Sequence, residues 1–342
     1  MKRKLLALTA ILLALTVTFG GCENIMLIPG KSSGAIADDS SSSQNSEPFS
    51  AYPVTLNNTE ITKAPEKIVS LTPAYTEILF EMGYGKKITA VSDYCDYPEI
   101  VKELPKAASS ANPDIAAIKK LKPDLVITAT PIVTKDKISL EAQGIKVLVI
   151  PSPRNIEEFE NVYKFFGLAM NGQFDGEAAG EKAFTPIKKQ LDAIKRTDKK
   201  FIYVTAANTP AGGDTFESAV LSLFGTNIAE SSSGYSYKAA DLADNQPDII
   251  FVSDTIGEDT LTANENYSDL KAVKDGKITV LKNKYFERPS GRITELIGTA
   301  AKAFGVDPSD KAEPENSSAP ASESENSSNT QNSSKEDSKA TE

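Results

Sequence analysis

Short, unbroken apolar runs recur through the middle of the chain, and between them apolar side chains return every three or four residues. The runs are Ile68–Leu71, Ile88–Val91, Leu125–Ile127, Val147–Ile150, Phe201–Val204, Ile249–Val252 and Ile278–Leu281. They lack a polar-apolar alternation, which suits strands buried on both faces of a parallel sheet. Helical patterns cover Pro73–Met82, Ser139–Gln143, Phe216–Phe224 and Ile293–Phe304. The resulting β/α/β rhythm predicts an α/β fold. It occurs twice. Residues 115–130 are echoed by residues 239–254, and in each a short amphipathic helix is stopped by Pro-Asp (Pro123-Asp124, Pro247-Asp248) before an apolar run follows. Two lobes are therefore expected.

The piece between the lobes reads as helix from Ile156 to about Lys195, broken near Asn171-Gly172. Its second part, Phe174 to Arg196, carries Ala183, Ile187, Leu191 and Ile194 at spacings of three and four. That predicts one long connecting helix of about 20 residues, roughly 30 Å at 1.5 Å per residue. A helical link favours a small rocking motion over a wide clamshell. The expected division is a leader at 1–21, a disordered tether at 22–63, an N-terminal lobe at 64–168, the connecting helix at 169–198, a C-terminal lobe at 199–307 and a disordered tail at 308–342.

The chain begins Met1-Lys-Arg-Lys, continues apolar from Leu5 to Phe19 and closes with Gly20-Gly21-Cys22. A basic start, a short apolar core and small residues before a cleavage point make a secretory signal, too short for a comfortable membrane span. The closing cysteine resembles a bacterial lipoprotein signal, which implies lipidation of Cys22 and a place at the extracytoplasmic face of the cell membrane. Ser-, Asn- and Glu-rich composition on either side of the core predicts disorder there. With Cys22 lipidated, Cys95 has no cysteine partner and no intrachain disulfide is expected. The chain has 47 acidic against 37 basic side chains, a net charge of −10 that deepens once Lys2, Arg3 and Lys4 leave with the leader. This disfavours nucleic acid and anionic lipid as partners. The absence of histidine removes the commonest metal ligand and general base.

Parallel sheets place ligands at the carboxyl ends of their strands. After the first run, Thr72 can cap a helix with Pro73 at its first position, Ala74 follows, and Tyr75 would point into the cleft. After the second comes Ser92-Asp-Tyr-Cys-Asp-Tyr-Pro98, with two aromatics, two carboxylates and a thiol. Asp93, Cys95 and Asp96 lack the further ligands that a closed metal site needs, so no metal is expected. Cys95 lacks a histidine base, and Ala211-Gly-Gly-Asp214 lacks the Lys and Ser/Thr of a phosphate loop. The site looks built to bind a molecule, with neither enzymatic chemistry nor a resident cofactor.

Lys67–Leu79, the Val91–Pro98 loop, Leu121-Lys-Pro-Asp-Leu-Val-Ile127, Gly144-Ile-Lys-Val147 and Tyr285-Phe-Glu-Arg-Pro-Ser-Gly-Arg-Ile293 occur together and in order over about residues 66–306. Together they resemble the cobalamin-binding branch of the periplasmic binding proteins of ABC importers. The resemblance implies two Rossmann-like lobes with a rigid helix between them, a ligand in the cleft, a monomer, and delivery to permease subunits. The branches of that family take corrinoids, ferric siderophores or haem. Haem usually needs a His, Met or Tyr axial ligand, and this chain offers only the last two. A siderophore favours arginines, for which Arg154, Arg288 and Arg292 are candidates. A corrinoid is a broad, flat macrocycle suited to aromatic walls. The leading expectation is a corrinoid, with a ferric siderophore as the alternative; the lack of tryptophan departs from the corrinoid pattern. The expected ligand contacts are Thr72, Pro73, Ala74, Tyr75, Tyr94, Cys95, Tyr97, Asn112, Tyr235, Tyr237, Phe286 and Arg288. Docking to the permease implies one acidic side chain on each lobe: Asp136 on the first, and Asp214 or Glu217 on the second.

Overall fold

The computed structural model describes residues 50–306. The leader, Cys22 and the tail expected at 308–342 lie outside the described residues. The first lobe opens with a hairpin of β1 (Val54–Leu56) and β2 (Thr59–Ile61). It continues through β3 (Ile68–Ser70), α1 (Pro73–Glu81), β4 (Ile88–Val91), α2 (Ile115–Leu121), β5 (Leu125–Thr128), α3 (Thr134–Glu141) and β6 (Lys146–Val149). After α4 (Ile156–Asp192), the second lobe comprises β7 (Lys200–Val204), α5 (Phe216–Leu221), β8 (Thr226–Asn227), β9 (Ile249–Ser253), α6 (Gly257–Thr262), α7 (Lys271–Lys274), β10 (Ile278–Leu281), α8 (Lys284–Glu287) and α9 (Ile293–Phe304).

Both sheets are parallel, with strand orders β4-β3-β5-β6 and β10-β9-β7-β8. Within each lobe the first strand pairs with the second and the third, and the fourth lies beyond the third. The repeated Pro-Asp has one job in both. Asp124 accepts from the amides of Glu66 and Lys67 at 2.9 and 3.0 Å, and Asp248 accepts from the amide of Lys200 at 2.8 Å, tying the third strand's start to the first strand. The unbroken apolar runs are explained by cover on both faces. Val69, Val126 and Val147 pack under Ile118 and Leu140, while Ile68, Leu125 and Ile127 join a core that continues through α4 into Phe201 and Phe251 of the second lobe.

Two expectations are corrected. Residues 50–63, read as tether, are ordered: Val54, Leu56, Thr59 and Ile61 are buried, and Asn57 and Asn58 both take positive φ (44° and 61°) in the connecting turn. Two asparagines between short alternating segments are a hairpin signal. The connector breaks where the sequence predicts, at Asn171-Gly172, and its two helical arms fold back on each other. At Gly172 the backbone leaves helical geometry with φ 77° and ψ −172°. The arms run back along each other so closely that a Cβ on Gly180 would lie 2.5 Å from the Cα of Lys164. The second arm ends at Asp192, shortly before β7 opens the second lobe. Phe159 of the first arm packs on Phe184 of the second at 5.1 Å and on Phe216 of the second lobe at 5.5 Å, so one aromatic cluster fastens all three. α3 also begins five residues before the Ser139 expected for it.

Candidate functional site

Segments that follow the carboxyl ends of strands in the two sheets meet along one flank, on the side of the edge strands β4 and β10. From the first lobe come α1 and the loop after β4; from the second comes the segment after α8. Glu77 and Glu81 lie four residues apart on α1 and so share a face. The Glu77 carboxylate accepts from the Ser290 hydroxyl at 2.6 Å and from Nη1 of Arg292 at 3.2 Å. Glu81 accepts from the Gly291 amide at 3.0 Å and from the Tyr163 hydroxyl at 2.6 Å. Burial pushes both carboxyls above the ordinary carboxylate range; Ser290 and Arg292 oppose this at Glu77, and Tyr163 and Gly291 oppose it at Glu81. Farther out, Arg288 forms an ion pair with Asp96.

The loop after β4 is set by its own first residue. Ser92 takes the Tyr94 amide on its hydroxyl at 3.1 Å and the Cys95 amide on its carbonyl at 3.0 Å. The turn drives Cys95 into the core, where its sulfur lies 3.3 Å from Oγ1 of Thr76, and throws the two tyrosines outward. Burial pushes the Cys95 thiol upward. Tyr94 is 66 % exposed and Tyr97 44 %, with the guanidinium of Arg292 over the Tyr97 ring at 4.2 Å. Tyr94, Tyr97 and Arg288 thus gather at this flank.

Several expected contacts lie elsewhere. Tyr75 is a core residue: its ring packs edge-on against Phe166 at 5.3 Å, its hydroxyl donates to the Ile150 carbonyl, and burial raises its pKa. It belongs to the stripe Tyr75, Ile78, Leu79, whose spacing is that of one buried helix face. Thr72 stands at the helix start but makes no cap bond; its hydroxyl accepts from the Ala129 amide at 2.8 Å, joining α1 to the end of β5. Ala74 is buried beside it and Pro73 is half-buried. Phe286 is buried against Tyr203 at 5.1 Å, and Tyr237 is half-buried against the second lobe's own core. Asn112 is exposed in a turn where its amide donates to the Ser109 hydroxyl.

Tyr235 is half exposed and donates to Glu217 at 3.0 Å; burial of its hydroxyl, with the charge and hydrogen bond of Glu217, raises the phenol's pKa. Glu217 is consequently buried and internally bonded, unsuited to meet a partner's arginine. Asp214 is exposed, accepting from the Ser233 hydroxyl at 2.6 Å and from the Gly234 amide, and those bonds hold its pKa low. Asp136 is half-buried in the first turn of α3, between the exposed Val133 and Ile138. Glu77, Glu81 and Ser290 were not anticipated; the i, i+4 glutamates in an otherwise apolar helix were the available signal. A groove of about 560 Å³ lined by Asp198, Lys199, Asp248, Lys271 and Asp275 lies at the amino ends of the second sheet, away from this flank.

A family described as periplasmic binding protein matches residues 68–285. The chain is 27 % identical over 327 residues to an uncharacterized ABC transporter substrate-binding lipoprotein, YvrC, of Bacillus subtilis, covering 89 % of this chain and 98 % of that one. It is 26 % identical over 274 residues to a vitamin B12-binding protein of Vibrio campbellii, covering 74 % and 95 %. The fold is similar to the crystal structure of the vitamin B12 binding protein BtuF of Vibrio cholerae, with TM-score 0.57, 23 % identity and coverage of 70 % and 97 %. It is also similar to a possible iron-binding solute-binding protein of Staphylococcus epidermidis, with TM-score 0.60, 24 % identity and coverage of 71 % and 99 %.

Proposed function

The chain belongs to the periplasmic binding protein family, and on that premise we propose that it is the substrate-binding protein of an ABC importer that captures cobalamin or a related corrinoid. Lipid on Cys22 holds it at the outer face of the cell membrane, and it hands its ligand to the permease chemically unchanged. The names of the Bacillus and Vibrio relatives support the transport role. The observation that carries the choice of ligand is the state of the three cleft arginines. Arg288 is engaged by Asp96, Arg292 by Glu77 and Arg154 by Glu158. Arg288 and Arg292, which share one flank, are already held by carboxylates, and Arg154 lies apart from them in an exposed pair, so no guanidinium cluster gathers for an anionic ferric siderophore, while Tyr94 and the part of Tyr97 not backed by Arg292 offer surface to a flat ring. Asp214 on the second lobe and Asp136 on the first are the proposed docking carboxylates, Asp214 being the more exposed of the two.

The test is retention. The protein, purified without its leader, is incubated with cobalamin, cobinamide, a ferric siderophore or haem, then gel-filtered, and the ligand absorbance travelling with it is read. Cobalamin and cobinamide should co-elute and be recovered unaltered. Retention of the siderophore or haem in their place would overturn the ligand; recovery of a modified ligand would overturn the binding role.

A further inference from the structure

The geometry points to Arg292 as the positioning residue for the ligand wall: a side chain of the second lobe that holds a tyrosine of the first lobe in place. Its guanidinium lies 4.2 Å from the centroid of the Tyr97 ring and 5.2 Å from that of Tyr285, so one cation stands between an aromatic of each lobe. Behind it, Nη1 is fixed by Glu77, whose side chain is only 2 % exposed, while Arg292 itself is 14 % exposed. The Ser290 hydroxyl holds the same carboxylate from the other side. Arg292 Nε is buried without a hydrogen-bond partner, and the nearest carboxylate oxygen, on Glu295, is 3.6 Å away. The side chain therefore leaves one donor unsatisfied while it keeps both the ion pair and the stacking.

A planar cation over a ring takes up one aromatic face. Tyr97 nevertheless keeps 44 % of its surface exposed, so the ring is backed without being covered. Tyr94, three residues earlier, is 66 % exposed, and among the described residues no cation lies over its ring. The loop thus carries one backed ring and one free ring. The backing belongs to the other lobe, so the wall is complete only when the lobes are seated on each other through Glu77. A preorganised ring loses less freedom when a ligand stacks on it than a free one does. This makes Arg292 a determinant of affinity for a flat ligand without contact with that ligand, and to that extent it rests on the function proposed above.

The test has a ligand-free arm and a ligand arm. In protein labelled with ¹³C at tyrosine, the Tyr97 ring signal is assigned by its loss in Tyr97→Phe. It should move in Arg292→Lys, which keeps the charge beside Glu77 but loses the plane, and in the paired variant Glu77→Gln/Arg292→Gln, which removes the buried charges together so that neither is left unpaired. For cobalamin, Arg292→Lys and Tyr97→Leu should each lower affinity about tenfold, and combining them should lower it no further, because both remove the same wall. A Tyr97 signal unmoved in both variants overturns the proposal, as do affinity losses that multiply. If the unaltered protein binds no corrinoid, the proposed ligand falls, and the ring signal alone still decides the role of Arg292.

Discussion

At the β4/β10 flank an arginine of the second lobe is sunk against carboxylates of the first, whereas at the β6/β8 flank the first lobe's Arg154 is 71 % exposed and pairs at 3.0 Å with Glu158 on the helix that follows it. Its counterpart across that flank, Asp214, is hydrogen-bonded within its own lobe by Ser233 and Gly234 and meets Arg154 only through a weak charge attraction across solvent. The same charge types serve opposite ends, and burial decides which. Removing one member of a buried, hydrogen-bonded pair leaves the other uncompensated in a medium of low dielectric, while an exposed pair trades readily for water. One flank is a bolt, and the other is free to be the mouth.

The largest effect should come from the bolt. Arg292→Ala leaves Glu77 buried without its cation and should cost about 3 kcal/mol of unfolding free energy at pH 8, read by urea denaturation. The loss should shrink as pH falls and Glu77 takes up a proton. The sign follows from the raised carboxyls of Glu77 and Glu81: the folded state holds their protons more tightly than the unfolded state, so their contribution is full at low pH and declines as pH rises above the ordinary glutamate value of 4.5 toward the folded ones. Equal stability of variant and parent at pH 8 would mean that the seam holds nothing.

Next come the rings. Tyr97→Ala should reduce cobalamin affinity about tenfold to a hundredfold, and Tyr94→Ala by about threefold or less, since only the former is backed. Cys95→Ser should stay within a few-fold of the parent, because a buried thiol with a raised pKa is a neutral, weakly bonding group. Titration calorimetry reads all three, and a reversed order of the tyrosines would remove the distinction between fixed and free rings. The smallest effect belongs to the far flank. Arg154→Ala breaks only an exposed pair, and its urea midpoint should coincide with the parent's; a clear drop would show that this flank, too, is fastened.

The scaffold was largely legible in the chain, because an unbroken apolar run has few ways to be buried and Pro-Asp at the head of Leu125 and Ile249 marks equivalent strand starts. The site was less so. Tyr75 looks like a cleft residue by its position after a strand, yet the stripe it shares with Ile78 and Leu79 turns it inward. Phe286 likewise follows a strand end, but a turn of helix sends it into the second lobe's core. The seam was illegible for a different reason. Glu77 and Arg292 are 215 residues apart, and nothing local in either segment indicates that one will neutralise the other. The ordered hairpin at residues 54–61 was hidden by its shortness and by the polar composition around it.

The most direct measurement is a pair of spin-label distances across the two flanks, taken with and without cobalamin: one between exposed sites at Glu99 and Lys282 on the bolted flank, the other between Glu157 and Ser231 on the far flank. The bolted pair should give one narrow distribution that cobalamin leaves unchanged, while the far pair shortens and narrows when the ligand is held. A bolted pair that shifts as much as the far pair would contradict the account, because the Glu77–Arg292 seam could not then be the fixed wall of the cleft.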